Sequence, residues 1–138
     1  MTILVSACLL GIKCKYDGND NFCPTVAELA GQNLIIPVCP EQLGGLPTPR
    51  YPAEISKGKI INCLGEDVTE QFTRGARETL KIAQLCKANR AVLKQNSPSC
   101  GSRFIYDGTH QNQLINGTGI TAKLLIENGI EVISEHDL

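Results

Sequence analysis

The chain has 138 residues, with thirteen Lys and Arg against fourteen Asp and Glu and a formal net charge of −1. No global field therefore draws it to nucleic acid or to an anionic membrane. No Trp, three Phe and three Tyr also leave few rings on which bases could stack.

The length suits one domain, residues 1–138, with a core of its own. No apolar stretch approaches the roughly 20 residues of a membrane helix. Val5-Ser6-Ala7-Cys8 looks like a lipoprotein cleavage box, but Met1-Thr2-Ile3-Leu4 supplies neither a positive start nor an apolar core. The chain reads as soluble and cytoplasmic.

In chain order, residues 2–7 form a short apolar run of the kind found in buried parallel strands. A polar loop follows, then a short helix opened by Pro24 and ending near Gly31. Residues 33–38 give a second strand, and Cys39 to Pro52, rich in Gly and Pro, reads as a functional loop. A small strand is expected over 59–63. Asp67 and Glu70 read as a capping box for a long helix whose face carries Val68, Phe72, Ala76, Leu80 and Ala83. Ala91 to Lys94 is a third strand, Ser97 to Gly117 an irregular loop, and Thr118 a cap for a helix that stops at Gly129. Ile130 to Ser134 is the last strand.

This alternation predicts a three-layer, Rossmann-like α/β fold with a mainly parallel sheet of four or five strands and flanking helices. A mixed sheet with a hairpin near 55–63 is the main alternative. Tyr-Asp-Gly occurs at 16–18 and again at 106–108, which suggests two similar turns.

Seven cysteines without any Cys-x-x-Cys argue against a thioredoxin-like pair, a zinc ribbon and a ferredoxin-type run. Cys8, Cys39 and Cys100 each lie just past an apolar run, so neighbouring parallel strands would open all three onto the ligand-binding edge of one sheet. Three thiolates leave one position of a tetrahedral zinc, or one iron of a [4Fe–4S] cluster, without a protein ligand; sequence alone does not separate the two. Cys63 and Cys86 read as small core hydrophobes. Cys23 fits either packing or function, and Cys14 lies within reach of the site.

Glu41, two residues after Cys39, is either a solvated carboxylate or a general base beside a metal. Ser97 and Ser99 serve either the turn around Pro98 or hydrogen bonding to a substrate. Gly44-Gly45, Gly101 and Gly117-Thr118-Gly119 would allow close approach of the backbone to a ligand. Arg50, Lys94 and Arg103 could fix an anion, although such charges are more often solvated. His110 and His136 carry no motif.

The combined pattern resembles the thiouracil desulfidase family, small bacterial proteins long catalogued as a domain of unknown function. The resemblance rests on Ser6-Ala7-Cys8-Leu9-Leu10-Gly11 with Cys14-Lys15-Tyr16-Asp17-Gly18, and on Cys39-Pro40-Glu41 with Gly44-Gly45-Leu46 and Pro49-Arg50. Gly65-Glu66-Asp67-Val68-Thr69 and Ser97-Pro98-Ser99-Cys100-Gly101 with Tyr106-Asp107-Gly108 complete it in order along the chain. Lys15 stands where Arg is expected, keeping the charge without the planar fork.

The resemblance implies a [4Fe–4S] cluster held by Cys8, Cys39 and Cys100 with one open iron, zinc being the alternative. It implies that Glu41 activates water and that Ser97 positions substrate or assists proton transfer. The implied reaction is a non-redox hydrolysis in which the thiocarbonyl sulfur of 2-thiouracil, or of a related thiolated base or nucleoside, is replaced by oxygen and leaves as sulfide. The implied partner is a small thiolated pyrimidine, with room for a homodimer and no membrane; nothing in the sequence speaks for nucleic acid. The competing readings are a metal- or sulfide-binding module without C–S cleavage, and a structural domain that uses Cys as core filler.

Overall fold

Four apolar runs become one parallel sheet in the computed structural model, which describes residues 1–138. The strands are β1 (Thr2–Ser6), β2 (Leu34–Val38), β3 (Ala53–Ser56), β4 (Lys59–Asn62), β5 (Arg90–Leu93), β6 (Phe104–Tyr106), β7 (Leu114–Asn116) and β8 (Glu131–Ser134). The helices are α1 (Pro24–Ala27), α2 (Pro40–Leu43), α3 (Thr69–Leu85) and α4 (Ile120–Glu127). The main sheet has the order β2-β1-β5-β8, and each pairing is parallel.

Alternation along the central strands divides the core between the two faces of this sheet. Leu4, Ala91 and Leu93 pack with Ala83 of α3 and with Ala122 and Leu125 of α4. Ile3, Val5 and Val92 pack on the other face with Leu9 and Val26. Helix, sheet and helix layers follow, as the alternating sequence pattern predicts.

Several local expectations are corrected. The hairpin near 55–63 exists as β3–β4, but it forms its own two-stranded sheet and does not join the main one. The segment 97–117 is not uniformly irregular, because β6 and β7 pair antiparallel within it. These strands are only three residues long, and β7 is exposed throughout, so no apolar periodicity marks them.

The expected capping box does not form. Val68 is the N-cap of α3, the Asp67 carboxylate accepts the Thr69 N–H at 2.9 Å, and Glu70 lies 3.5 Å from Arg74. Gly119 rather than Thr118 caps α4. The Gly- and Pro-rich stretch after Cys39 contains α2, with Pro40 pre-set at its first turn.

Helix α2 lies against α3 backbone to backbone. A Cβ on Gly44 would stand 1.9 Å from the Gln71 carbonyl oxygen, and one on Gly75 would stand 1.9 Å from that of Pro40. Gly44 thus serves helix contact, not ligand approach. Gly101 and Gly119 likewise meet protein backbone: a Cβ on Gly101 would stand 2.5 Å from the Phe104 oxygen, and one on Gly119 would stand 2.5 Å from the Ser99 carbonyl.

Candidate active site

The carboxyl ends of the strands lie level, with Ser6 beside Val38 and Val5 beside Val92. Because β1 has β2 on one side and β5 on the other, the order of the chain reverses at β1, which is where open α/β sheets form their binding crevice. Cys8 lies in the 3-10 turn Ala7–Leu10 that follows β1, Cys39 is the N-cap of α2, and Cys100 lies in the turn after β5. All three line one cavity of about 480 Å³.

Side chains at the sheet edge hold these loops. Ser6 Oγ accepts the Lys94 N–H at 2.9 Å, tying the ends of β1 and β5 together. Glu135 accepts the Gln95 N–H at 2.8 Å and pairs with Lys94 Nζ at 3.0 Å. The buried Gln95 side-chain oxygen accepts the N–H groups of Arg103 and Phe104 at 3.1 and 3.0 Å, closing the loop that carries Ser97 and Cys100.

The three thiols differ in protonation. Burial raises Cys8, partly offset by a hydrogen bond with Asn21. Burial pushes Cys100 up to about 12, partly offset by a hydrogen bond with Ser6. Cys39 goes the other way: a hydrogen bond from the Cys14 thiol lowers it, with help from the Gln42 N–H and the Arg50 charge, and the Cys14 thiol is raised in return. When protonated, Cys39 Sγ can also donate a long sulfur hydrogen bond, 3.8 Å, to the Cys14 carbonyl.

Glu41 faces the same cavity, placed there by the first turn of α2 and not by an extended loop. Arg50 Nε donates to Glu41 Oε2 at 2.5 Å, and the two side chains are 7% and 17% exposed. Ser97 Oγ accepts the N–H groups of Ser99 and Cys100 at 3.1 and 3.0 Å. With both lone pairs engaged, its hydroxyl hydrogen remains to be donated. Ser99 is buried, and its Oγ lies 2.8 Å from Thr121 Oγ1, so it joins the loop to α4 and does not line the cavity.

The opposite rim comes from the hairpins. Glu54 of β3 accepts the N–H groups of Gly108 and His110 at 3.0 and 3.1 Å, and its other oxygen lies 3.6 Å from His110 Nδ1. The two Tyr-Asp-Gly turns are alike: Asp17 accepts the Asn19 N–H at 3.0 Å, and Asp107 accepts the Thr109 N–H at 2.9 Å. Tyr16 and Tyr106 both line the cavity.

The sequence pattern described as 2-thiouracil desulfurase matches residues 3–137. The chain belongs to that family. It is 46% identical over 146 residues to the uncharacterized protein YbbK of Bacillus subtilis (strain 168), covering 99% of this chain and 97% of the relative. Its fold is similar to that of a solved [4Fe-4S]-dependent thiouracil desulfidase, TudS. The TM-score is 0.92 at 42% identity, covering 99% of this chain and 92% of that one.

Within this desulfurase-family chain, Cys8, Cys39, Cys100, Glu41 and Ser97 share the cavity, and Cys14 joins them. Cys23 packs beside the Ile3–Val92 cluster instead. Cys63 and Cys86 are exposed, not core residues, and Cys63 lines the cavity; both follow the ends of their elements, where the apolar pattern has already stopped. Arg50 is not solvated but buried in the site, whereas Arg103 is 67% exposed beside Asp137. Glu54, Gln95 and His110 escape sequence reasoning. Pro49-Arg50 within the second motif is the one sequence signal for Arg50. No helix is long and apolar enough to cross a membrane.

Proposed function

We propose that this chain is an iron–sulfur-dependent desulfidase acting on 2-thiouracil or a related thiolated base or nucleoside. Water replaces the thiocarbonyl sulfur, so that a thiocarbonyl and water become a carbonyl and hydrogen sulfide with no net oxidation or reduction. The observation that carries the reading is the convergence of three strand-end thiols, Cys8, Cys39 and Cys100, on one cavity with Glu41 and Ser97.

The donor set fits a [4Fe–4S] cluster with three protein ligands. A tetrahedral zinc would need thiolates about 3.8 Å apart, given Zn–S bonds of about 2.3 Å. No three His, Cys, Asp or Glu side chains are gathered closely enough to hold a single metal ion. When bound, the cluster supplies a soft Lewis-acid iron suited to a thiocarbonyl sulfur. Loading requires Cys8 and Cys100 to give up their protons, while Cys39 is already biased to the thiolate.

Glu41 takes a proton from the attacking water as general base. Ser97, whose oxygen is already saturated by two N–H groups, donates its hydroxyl hydrogen to the substrate and orients it. Tyr16, Tyr106 and the Glu54-supported turn restrict the far side of the cavity. Residues 1–138 act as one domain, and seven free thiols suit a reducing cytoplasm.

The test is anaerobic reconstitution with iron and sulfide, followed by measurement of sulfide release from 2-thiouracil. About four irons per chain, lost in Cys8→Ala, Cys39→Ala and Cys100→Ala, together with sulfide release, is the expected result. Iron indifferent to these three residues would overturn the ligand set. A loaded protein that releases no sulfide would favour a binding module instead, and undiminished sulfide release in Glu41→Gln would overturn the base assignment.

A further inference from the structure

Arg50 makes more polar contacts than any other side chain in the cavity. Its Nε donates to Glu41 Oε2 at 2.5 Å, and its Nη1 donates to Thr48 Oγ1 at 2.9 Å and to the Pro47 carbonyl at 3.2 Å. Its Nη2 donates to the Cys14 carbonyl at 2.9 Å and lies 4.0 Å from Cys39 Sγ. All three nitrogens of the guanidinium are engaged, and the side chain is 7% exposed. A buried cation of this kind is retained only where its partners repay desolvation.

The contacts join two loops that the main sheet leaves separate. Cys14 belongs to the loop after β1, and Glu41, Thr48 and Cys39 belong to the segment after β2. Helix α2 has only four residues; its contact with α3 seats the backbone, and Arg50 holds the Glu41 carboxylate. Gln42 Nε2 donating to Thr48 Oγ1 at 2.7 Å gives the same loop a second tie.

We infer that Arg50 is a positioning residue with two separable effects, an inference that rests on the cluster and base assignments proposed above. Its planar fork holds Oε2 of Glu41 and leaves Oε1 to receive the proton from water. Its charge lies against the Cys39 sulfur and so favours the electron-rich state of whatever that sulfur ligates. Lysine retains the charge but cannot reproduce a fork that reaches Glu41, Thr48 and Cys14 together.

The experiment compares wild type, Arg50→Lys and Arg50→Gln, each loaded anaerobically. Iron per chain, the cluster reduction potential, and kcat and KM for sulfide release are measured, and each variant is also combined with Glu41→Gln. The expected result is wild-type iron in both variants, kcat lower by about 10–100-fold in both, and KM little changed. The potential should fall in Arg50→Gln and stay near wild type in Arg50→Lys. In the Glu41→Gln background the loss from Arg50→Lys should largely vanish, because the two residues act as a unit.

Wild-type kcat and potential in Arg50→Gln would overturn the inference. Losses that add fully to that of Glu41→Gln would overturn it too, since a merely structural role predicts them. If wild type itself holds no iron or releases no sulfide, the functional reading fails and takes this inference with it. If wild type performs and the variants match it, only the inference fails.

Discussion

The main sheet and the two hairpins reach the same cavity by different physics. Cys8 and Cys100 follow β1 and β5, whose residues are mostly buried, Leu4, Val5, Val92 and Leu93 among them, and Cys39 follows β2, which is buried at Val38. Their positions are set by the packing of two core faces. The hairpin rim has little such packing: β7 is exposed throughout, and its turn is held chiefly by the Glu54 carboxylate. Groups that must be rigid come from the core, and groups that meet the far side of a ligand come from hydrogen-bonded appendages.

Replacing a strand-end thiol tests the rigid half most severely. Cys39→Ala should abolish iron retention and sulfide release together, as read by iron content and activity after anaerobic loading. Glu41→Gln should keep the iron and lower kcat by about 10²–10⁴-fold, the usual range for loss of a general base.

Crowding the contact beneath the site should also act on the core side. In Gly75→Ala the new Cβ meets the Pro40 oxygen at 1.9 Å, so α2 must move away from α3. A stability loss of about 1–3 kcal/mol is expected from such overpacking, read as a lower midpoint in urea, with activity falling alongside.

The hairpin half should respond differently. Glu54→Ala should raise KM for the thiolated pyrimidine while leaving the iron content unchanged, at a stability cost of about 1.5–3 kcal/mol for hydrogen bonds to a charged acceptor. Loss of iron in that variant would break the division between the two regions.

The gentlest test uses the cluster-free protein. Cys39 has its thiol lowered by Cys14 and Arg50, whereas burial holds Cys8 and Cys100 protonated. As pH rises from mildly acidic values, Cys39 should therefore be alkylated first of the three and Cys100 last, followed residue by residue with a mass-spectrometric assay.

The same division explains what is legible in the sequence. Apolar runs mark the strands of the main sheet, so β1, β2, β5 and β8 are readable, and so is the placing of Cys8, Cys39 and Cys100 beyond three of them. The β6–β7 hairpin is not, because strands of three residues held partly by a distant carboxylate leave no periodic trace. Gly44 looks like room for a ligand in the sequence, yet its neighbour is Gln71, far along the chain. Arg50 shows the limit most plainly: a charged residue looks solvated until the fold places Cys14 and Glu41 around it.

The strand order has a consequence for how the site is assembled during synthesis. Cys8 and Cys39 follow the adjoining strands β1 and β2, so two of the three thiols leave the ribosome early and on neighbouring strands. The third arrives only with β5 and its loop, and that loop is braced by Glu135, which follows β8. Two of the three thiols are therefore synthesised well before the third. A chain cut short before Glu135 would carry Cys8, Cys39 and Cys100 while lacking the carboxylate that meets Gln95 and Lys94.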